Sequence, residues 1–280
     1  FPCQGKAIFG TTDTPTDDLT IDPKASFEDM MFLVQELQKL YPNVPSIDLT
    51  NGIESKWCGL RPLVREVGAQ DSKSISRKHV IEQMPSGLIS LMGGKWTTYR
   101  TMGEQTIDQV IKMLEKEGKL DPKTLTSQST KNLPLLGEFV KKERVVYFDN
   151  REAYVSFYVS KLAQKYLIDR DILVHLIETY GDRAFDVAKY LKSHDQRERI
   201  HPNYPITKGE VRYQIQQEMA QSPIDVLLRR TRLSFLTGAG AAESLMNVLD
   251  VFAEEFKWSK ETTEIQKKLN AEMLAKLNFQ

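Results

Sequence analysis

The chain has 280 residues, 40% of them hydrophobic, enough to bury one large core or two ordinary ones, and its length favours two domains. Its 38 basic and 38 acidic side chains cancel, so no net field would gather nucleic acid or an anionic membrane, and recognition is left to local groups. Cys3 and Cys58 are too few for a disulfide framework and lack metal-type spacing, which favours a reducing compartment, and no apolar run approaches the length of a membrane span.

The opening shows no signal-like or Arg-rich transit pattern; Phe1-Pro2 runs at once into the strand-like Lys6-Ala-Ile-Phe-Gly10 and reads as cut from something longer. Strands are predicted over residues 6–11, 53–65, 78–83 and 87–92, the last two joined by a turn at Pro85-Ser86. Between the first two, Phe27, Met30, Met31, Val34, Leu37 and Tyr41 share one helical face, with Ser26 as N-cap. A second helix follows Lys95 and should bury Ile107, Val110, Ile111 and Leu114. Residues 119–133 lose periodicity and fill with Lys, Ser and Thr, a solvated connection between a mixed domain, 1–118, and a second domain, 134–280.

That second domain reads as helical throughout, with helices over 153–167, 171–180, 182–191, 208–219, 223–232, 241–256 and 260–277. Start signals agree: Thr207-x-x-Glu210 is a capping box, Ser222-Pro223 sets proline at a first helical position, and Asp169, Asp182 and Ser259 begin others. The fold class is therefore α+β, mixed strand and helix followed by an all-helical bundle.

Chemistry concentrates in Gly87-Leu-Ile-Ser-Leu-Met-Gly-Gly-Lys-Trp-Thr-Thr-Tyr-Arg100, an apolar strand that breaks at Gly93 and Gly94 into a helix. Glycines without Cβ admit positive φ and close ligand approach, and the helix behind them aims unpaired N–H groups and its positive end at the same spot. Lys95 adds a full charge, and Thr97 and Thr98 supply hydroxyls. A Walker-type loop is excluded, since Ile89 stands five before Gly94 and Trp96, not Ser or Thr, follows the lysine. A purely structural strand-to-helix turn stays open.

Arg61, among the apolar residues of Trp57-Cys-Gly-Leu-Arg-Pro-Leu63, should lie in a mostly buried segment, held either by a structural carboxylate or ready for a ligand's phosphate or carboxylate. Arg77, in Ser74-Ile-Ser-Arg-Lys-His79, poses the same choice with solvation as the plainer reading. His79 reads as a structural histidine, and His175, His194 and His201 lack ligand spacing, so no metal site is assigned. Gly238-Ala-Gly-Ala-Ala-Glu243 fails as a dinucleotide fingerprint because a helix, not a strand, precedes it; a helix–helix connection fits better. Arg229-Arg-Thr-Arg232 reads as a solvated or inter-domain face.

Four motifs in register, Gly10-Thr-Thr-Asp-Thr-Pro-Thr-Asp17, Trp57-Cys-Gly-Leu-Arg-Pro-Leu-Val64, Ser74-Ile-Ser-Arg-Lys-His-Val80 and Gly93-Gly-Lys-Trp-Thr-Thr-Tyr-Arg100, resemble FAD-dependent glycerol-3-phosphate dehydrogenase in its mitochondrial form. Tyr180-Gly-Asp-Arg-Ala-Phe-Asp-Val-Ala188 and Arg229-Arg-Thr-Arg-Leu233 extend the likeness across nearly the whole chain. The family's Rossmann-type glycine segment, an upstream active-site histidine and the calcium-binding loops of the mitochondrial relatives are not in this sequence, so the resemblance implies the C-terminal part of a catalytic region, with the first domain a partial FAD-binding and substrate-cap domain.

The resemblance implies Arg61 and Arg77 toward the substrate phosphate, Lys95 as catalytic group beside flavin and substrate, and Gly93, Gly94, Lys95, Trp96, Thr97 and Thr98 at the FAD, with Trp96 packed on the domain core. It further implies oxidation of sn-glycerol 3-phosphate to dihydroxyacetone phosphate, electrons passed to a quinone, and inner-membrane association in the mitochondrion. A homodimer, an oxygen acceptor as in glycerophosphate oxidases, and a non-catalytic helical interaction or oligomerisation module remain open.

Overall fold

A computed structural model describes residues 2–43, 52–61, 63–65, 75–76, 78–125, 130–137 and 150–277. Packing divides the chain into two compact units, Leu60–Pro134 and Phe1–Gly59 with Leu135–Gln280, whereas the sequence suggested 1–118, 119–133 and 134–280.

Strand β1 (Pro2–Cys3) pairs antiparallel with β2 (Lys6–Ala7). Helix α1 (Phe27–Leu40) begins where the Asp29 N–H donates to the Ser26 hydroxyl at 3.0 Å, and Glu28 and Asp29 suit the positive end of its first turn. Its apolar stripe forms as expected, yet no residue of α1 is buried and Phe27, Phe32 and Leu40 are exposed.

In the 60–134 unit, β3 (Val64–Arg65) pairs with β4 (Ile75–Ser76) in the register Val64↔Ser76. The expected strands at 78–83 and 87–92 form the hairpin of β5 (His79–Gln83) and β6 (Ile89–Gly93), paired from His79↔Gly93 to Gln83↔Ile89. Gly87, at φ +86°, closes its turn, and the Met84 N–H donates to the Leu88 carbonyl at 2.8 Å. A 3₁₀ turn, Trp96–Thr98, leads into α2 (Tyr99–Lys116). Val110, Ile111 and Leu114 are half-buried on its inner face, but Ile107 is exposed, a correction to the expected stripe.

The helical region comprises α3 (Arg151–Ala163), α4 (Arg170–Tyr180), α5 (Ala184–Val187), α6 (His194–Arg197), α7 (Lys208–Glu218), α8 (Leu233–Leu236), α9 (Gly238–Phe256) and α10 (Lys260–Ala275). The expected helix over 182–191 is broken into 3₁₀ turns around α5, after Gly181 leaves α4 at φ +58°. The stretch expected at 223–232 winds as a π-helix over Asp225–Arg230, closed by the Thr231 N–H and hydroxyl, which both donate to the Val226 carbonyl. Thr237 caps α9, so Gly238-Ala-Gly is that helix's first turn rather than a connection.

Two adjoining cores result. Leu162, Leu173, Leu176, Val187 and Tyr213 fill one, and Val211, Leu233, Val248, Leu249 and Phe252 the other. Residues 54–57, expected in a strand, strap this region instead: the Gly238 N–H donates to the Glu54 carbonyl at 3.0 Å, the Lys56 N–H to the Leu277 carbonyl at 2.9 Å, and the Ser55 hydroxyl to the Phe235 carbonyl at 2.6 Å. The Trp57 ring meets Phe235 edge-on at 4.7 Å. No helix among the described residues is long and apolar enough to cross a membrane.

Candidate active site

The double-glycine bend lies wholly within the 60–134 unit. Gly93 ends β6 at φ +71° and Gly94 follows at +81°, both in the region that favours glycine. Their missing side chains point at protein: a Cβ on Gly93 would lie 2.9 Å from Val64 Cγ2 and 3.2 Å from the Lys78 carbonyl, and one on Gly94 would lie 2.7 Å from Met102 Sδ and 3.1 Å from His79 Cβ. The glycines therefore let β3, β5 and α2 close around the bend, a role the sequence reading assigned to ligand approach. Lys95 leaves the bend extended, at φ −138° and ψ 147°, with its side chain exposed.

Behind it the chain turns at once into helix. The Thr98 N–H donates to the Lys95 carbonyl at 3.0 Å and its hydroxyl does so at 2.9 Å, fixing that carbonyl twice. The first amides of such a turn have no intrahelical acceptor and, with Lys95, form an anion-attracting end. Thr97 is exposed beside them. Trp96 is 88% exposed and lies 6.0 Å from the Tyr99 ring, which corrects its expected place on the domain core. His79, opposite Gly93, holds Gln105 Oε1 through Nε2 at 2.6 Å.

Arg61 is exposed, and Trp57, Leu60 and Leu63 around it are 45%, 40% and 50% exposed, so the expected burial of this segment is also corrected; no strand forms there to turn alternate residues inward. Three residues on, Val64 supplies the methyl beneath Gly93. Arg77 lies outside the described residues. No cluster with metal-binding composition occurs among the described residues.

A second polar centre, which the sequence reading missed, sits in the helical region. Glu210 is fully buried and accepts from His175 Nε2 at 3.0 Å and from the Tyr180 hydroxyl at 2.8 Å, while Gln214 Nε2 donates to that hydroxyl at 2.6 Å. The Thr207 hydroxyl accepts from the Glu210 N–H at 3.2 Å, so half of the expected capping box forms; the carboxylate turns inward because two donors await it there. Burial works against a charged His175, but the Glu210 charge and hydrogen bond, with Glu178 and Asp171 beyond, outweigh it and raise its pKa. Burial, then the Glu210 charge, holds the Tyr180 hydroxyl well above its ordinary range.

A cavity of about 580 Å³ opens in the same region, lined by Arg151, Tyr154, Glu178, Tyr180, Arg183 and Glu218 among others. Arg151 pairs there with Glu178 at 2.8 Å.

Residues 128–263 match the family described as the C-terminal domain of alpha-glycerophosphate oxidase. Across 263 residues the chain is 39% identical to a probable mitochondrial glycerol-3-phosphate dehydrogenase of Caenorhabditis elegans, covering 92% of this chain and 33% of that protein. The human mitochondrial glycerol-3-phosphate dehydrogenase is 36% identical over 265 residues, again 92% of this chain and 33% of the relative. Among solved structures, the glycerol-3-phosphate dehydrogenase of Bacillus halodurans complexed with FAD superposes with a TM-score of 0.71 at 25% identity, over 96% of this chain and 48% of that one. The chain thus spans about a third of the length of the curated relatives it matches. Residues 128–263 are thus similar to the C-terminal domain of alpha-glycerophosphate oxidase, in a chain that resembles mitochondrial glycerol-3-phosphate dehydrogenase over nine-tenths of its length.

Proposed function

We propose that this chain forms part of a mitochondrial flavoenzyme that oxidises sn-glycerol 3-phosphate to dihydroxyacetone phosphate and hands the electrons to a quinone at the inner membrane. The observation that carries the reading is the bend at Gly93 and Gly94, which opens into an exposed lysine and the amino end of a helix, inside a chain that matches these dehydrogenases across its length. FAD, when bound, supplies the acceptor for the hydride leaving C2 of the substrate.

The residues present fit such a cofactor. A helix start and Lys95 favour negative charge, and the positive-φ turn at Gly93 and Gly94 is what sets both at the end of β6. In this reading Gly93, Gly94, Trp96, Thr97 and Thr98 hold the flavin edge, and Lys95 stabilises charge at the reacting atoms. Arg61 and Arg77 take the substrate phosphate, where guanidinium forks give charge-assisted, bidentate hydrogen bonds and orient C2. Arg61 is exposed, so a substrate can reach its guanidinium.

In the flavin-loaded enzyme that carries this segment, Arg61→Ala should raise KM for glycerol 3-phosphate about ten- to a hundredfold with flavin content intact, the loss expected for hydrogen bonds to a charged group. Unchanged kinetics would sink the assignment. One observation favours a second acceptor, since the matching family takes its description from an oxidase. Oxygen consumption during turnover, set against quinone reduction, separates the two.

A further inference from the structure

We propose that His79 is a positioning residue for Lys95, acting through the Gly93–Gly94 bend and anchored by Gln105. This rests on the functional reading above, in which Lys95 serves the reacting atoms.

Three observations converge on the histidine. It stands directly across the hairpin from Gly93, in the last register pair before the bend. Its Cβ lies 3.1 Å from where a Gly94 side chain would begin, with Met102 of α2 closing the other side, so the bend is gripped between the strand before it and the helix after it. Its Nε2 reaches Gln105 Oε1, on the exposed side of α2, at 2.6 Å. An amide oxygen only accepts, so Nε2 carries the hydrogen of this bond.

The consequence is a closed bracket. Residues 94–98 leave β6 opposite His79 and enter α2, and the imidazole–amide bond ties the two ends of that excursion together. Within it, Thr98 holds the Lys95 carbonyl with both its N–H and its hydroxyl. The lysine backbone is therefore fixed from both sides, and releasing the bracket lets Lys95 shift without removing any group that touches substrate or flavin.

The test has one arm without flavin and one with it. In the present chain, hydrogen exchange at the Thr98 and Tyr99 amides, which donate to the Lys95 and Trp96 carbonyls, should speed up about tenfold in His79→Ala and equally in Gln105→Ala, with no further gain in the double variant and recovery in His79→Gln, whose amide nitrogen can take the place of Nε2. In the flavin-loaded enzyme, the same variants should lower kcat about ten- to a hundredfold, as a misplacement of about 1 Å does, while KM for glycerol 3-phosphate holds within about twofold and His79→Gln restores turnover. Faster exchange with unchanged kcat would show a merely structural clasp and overturn the proposal, as would additive effects of the two alanines. Should His79→Ala unfold the hairpin, Gln105→Ala carries both arms alone. A wild-type flavin that glycerol 3-phosphate fails to reduce would overturn the functional reading itself, and the exchange arm would still report whether the bracket exists.

Discussion

The 60–134 unit and the helical region after Arg151 are built on opposite plans. Every buried residue among those described lies between Tyr158 and Leu274, most of the apolar ones in two cores that α3, α4, α7 and α9 close around, whereas the described side chains of the 60–134 unit include none. The helical region is held by volume, with large side chains fully enclosed. The motif-bearing unit is held by local geometry: a hairpin register, two positive-φ glycines and a few hydrogen bonds around one bend. Buried packing is thus concentrated in the helical region, and side chains as exposed as Lys95 and Trp96 stay available to a ligand or a covering surface.

Deleting buried atoms should break this contrast most sharply. Leu176→Ala removes a fully buried side chain from the α3–α4 core and should cost about 2–5 kcal/mol, read as a fall in the urea midpoint followed by helix circular dichroism. Gly181→Ala comes next. Its φ of +58° is unfavourable for alanine, and the new Cβ would run into the Gly137 carbonyl, which the Asp182 N–H already uses at 3.3 Å, so a loss of about 1–3 kcal/mol is expected in the same measurement.

Much of this was legible in the residues. Two short apolar runs joined by a turn at Pro85-Ser86 marked the β5–β6 hairpin, and Ser26, Thr207 and Ser259 sit where cap chemistry demands an oxygen. The bend and its lysine were visible as two glycines between a strand pattern and a helix pattern. What was hidden depends on partners distant in sequence. Residues 53–61 look like a strand but find helix ends, not another strand, to bond, and the inward aim of the Gly93 and Gly94 hydrogens needs Val64 and Met102 to be seen. Glu210 matched a local capping rule, but His175 and Tyr180, 35 and 30 residues away, outbid the backbone for its carboxylate. Two polar residues one turn apart, Glu210 and Gln214, beside the apolar Val211 and Tyr213 were the available hint.

The Glu210 centre makes the helical region the pH-sensitive one. The folded pKa of His175 is raised above its ordinary 6.5, so its contribution is fully present below that value and is lost as pH rises through the folded pKa. Glu218, raised by burial with Arg230 opposing, adds a slope of the same sign at lower pH, while the Arg199-paired Asp171, whose pKa is lowered, acts oppositely and only in acid. Thermal midpoints should therefore decline from about pH 6.5 upward, and His175→Gln should flatten that decline. A wild-type midpoint rising over the same range would contradict the assignment.

The smallest effect is the most discriminating, because it repeats the Leu176 deletion in the other region. Ile107 stands on α2 at helical spacing from Trp96, Tyr99 and Gly103, and is 58% exposed. Ile107→Ala removes little buried area and gains helix propensity of a few tenths of a kcal/mol, so the stability of this chain should move by less than about 0.5 kcal/mol. A cost above about 2 kcal/mol would mean that the α2 face is packed in the free chain, and the division between a volume-held and a geometry-held region would fail. If the change stays small in this chain but becomes large in the flavoenzyme proposed above, then the exposed stripe of α2 is a surface that other parts of that enzyme cover.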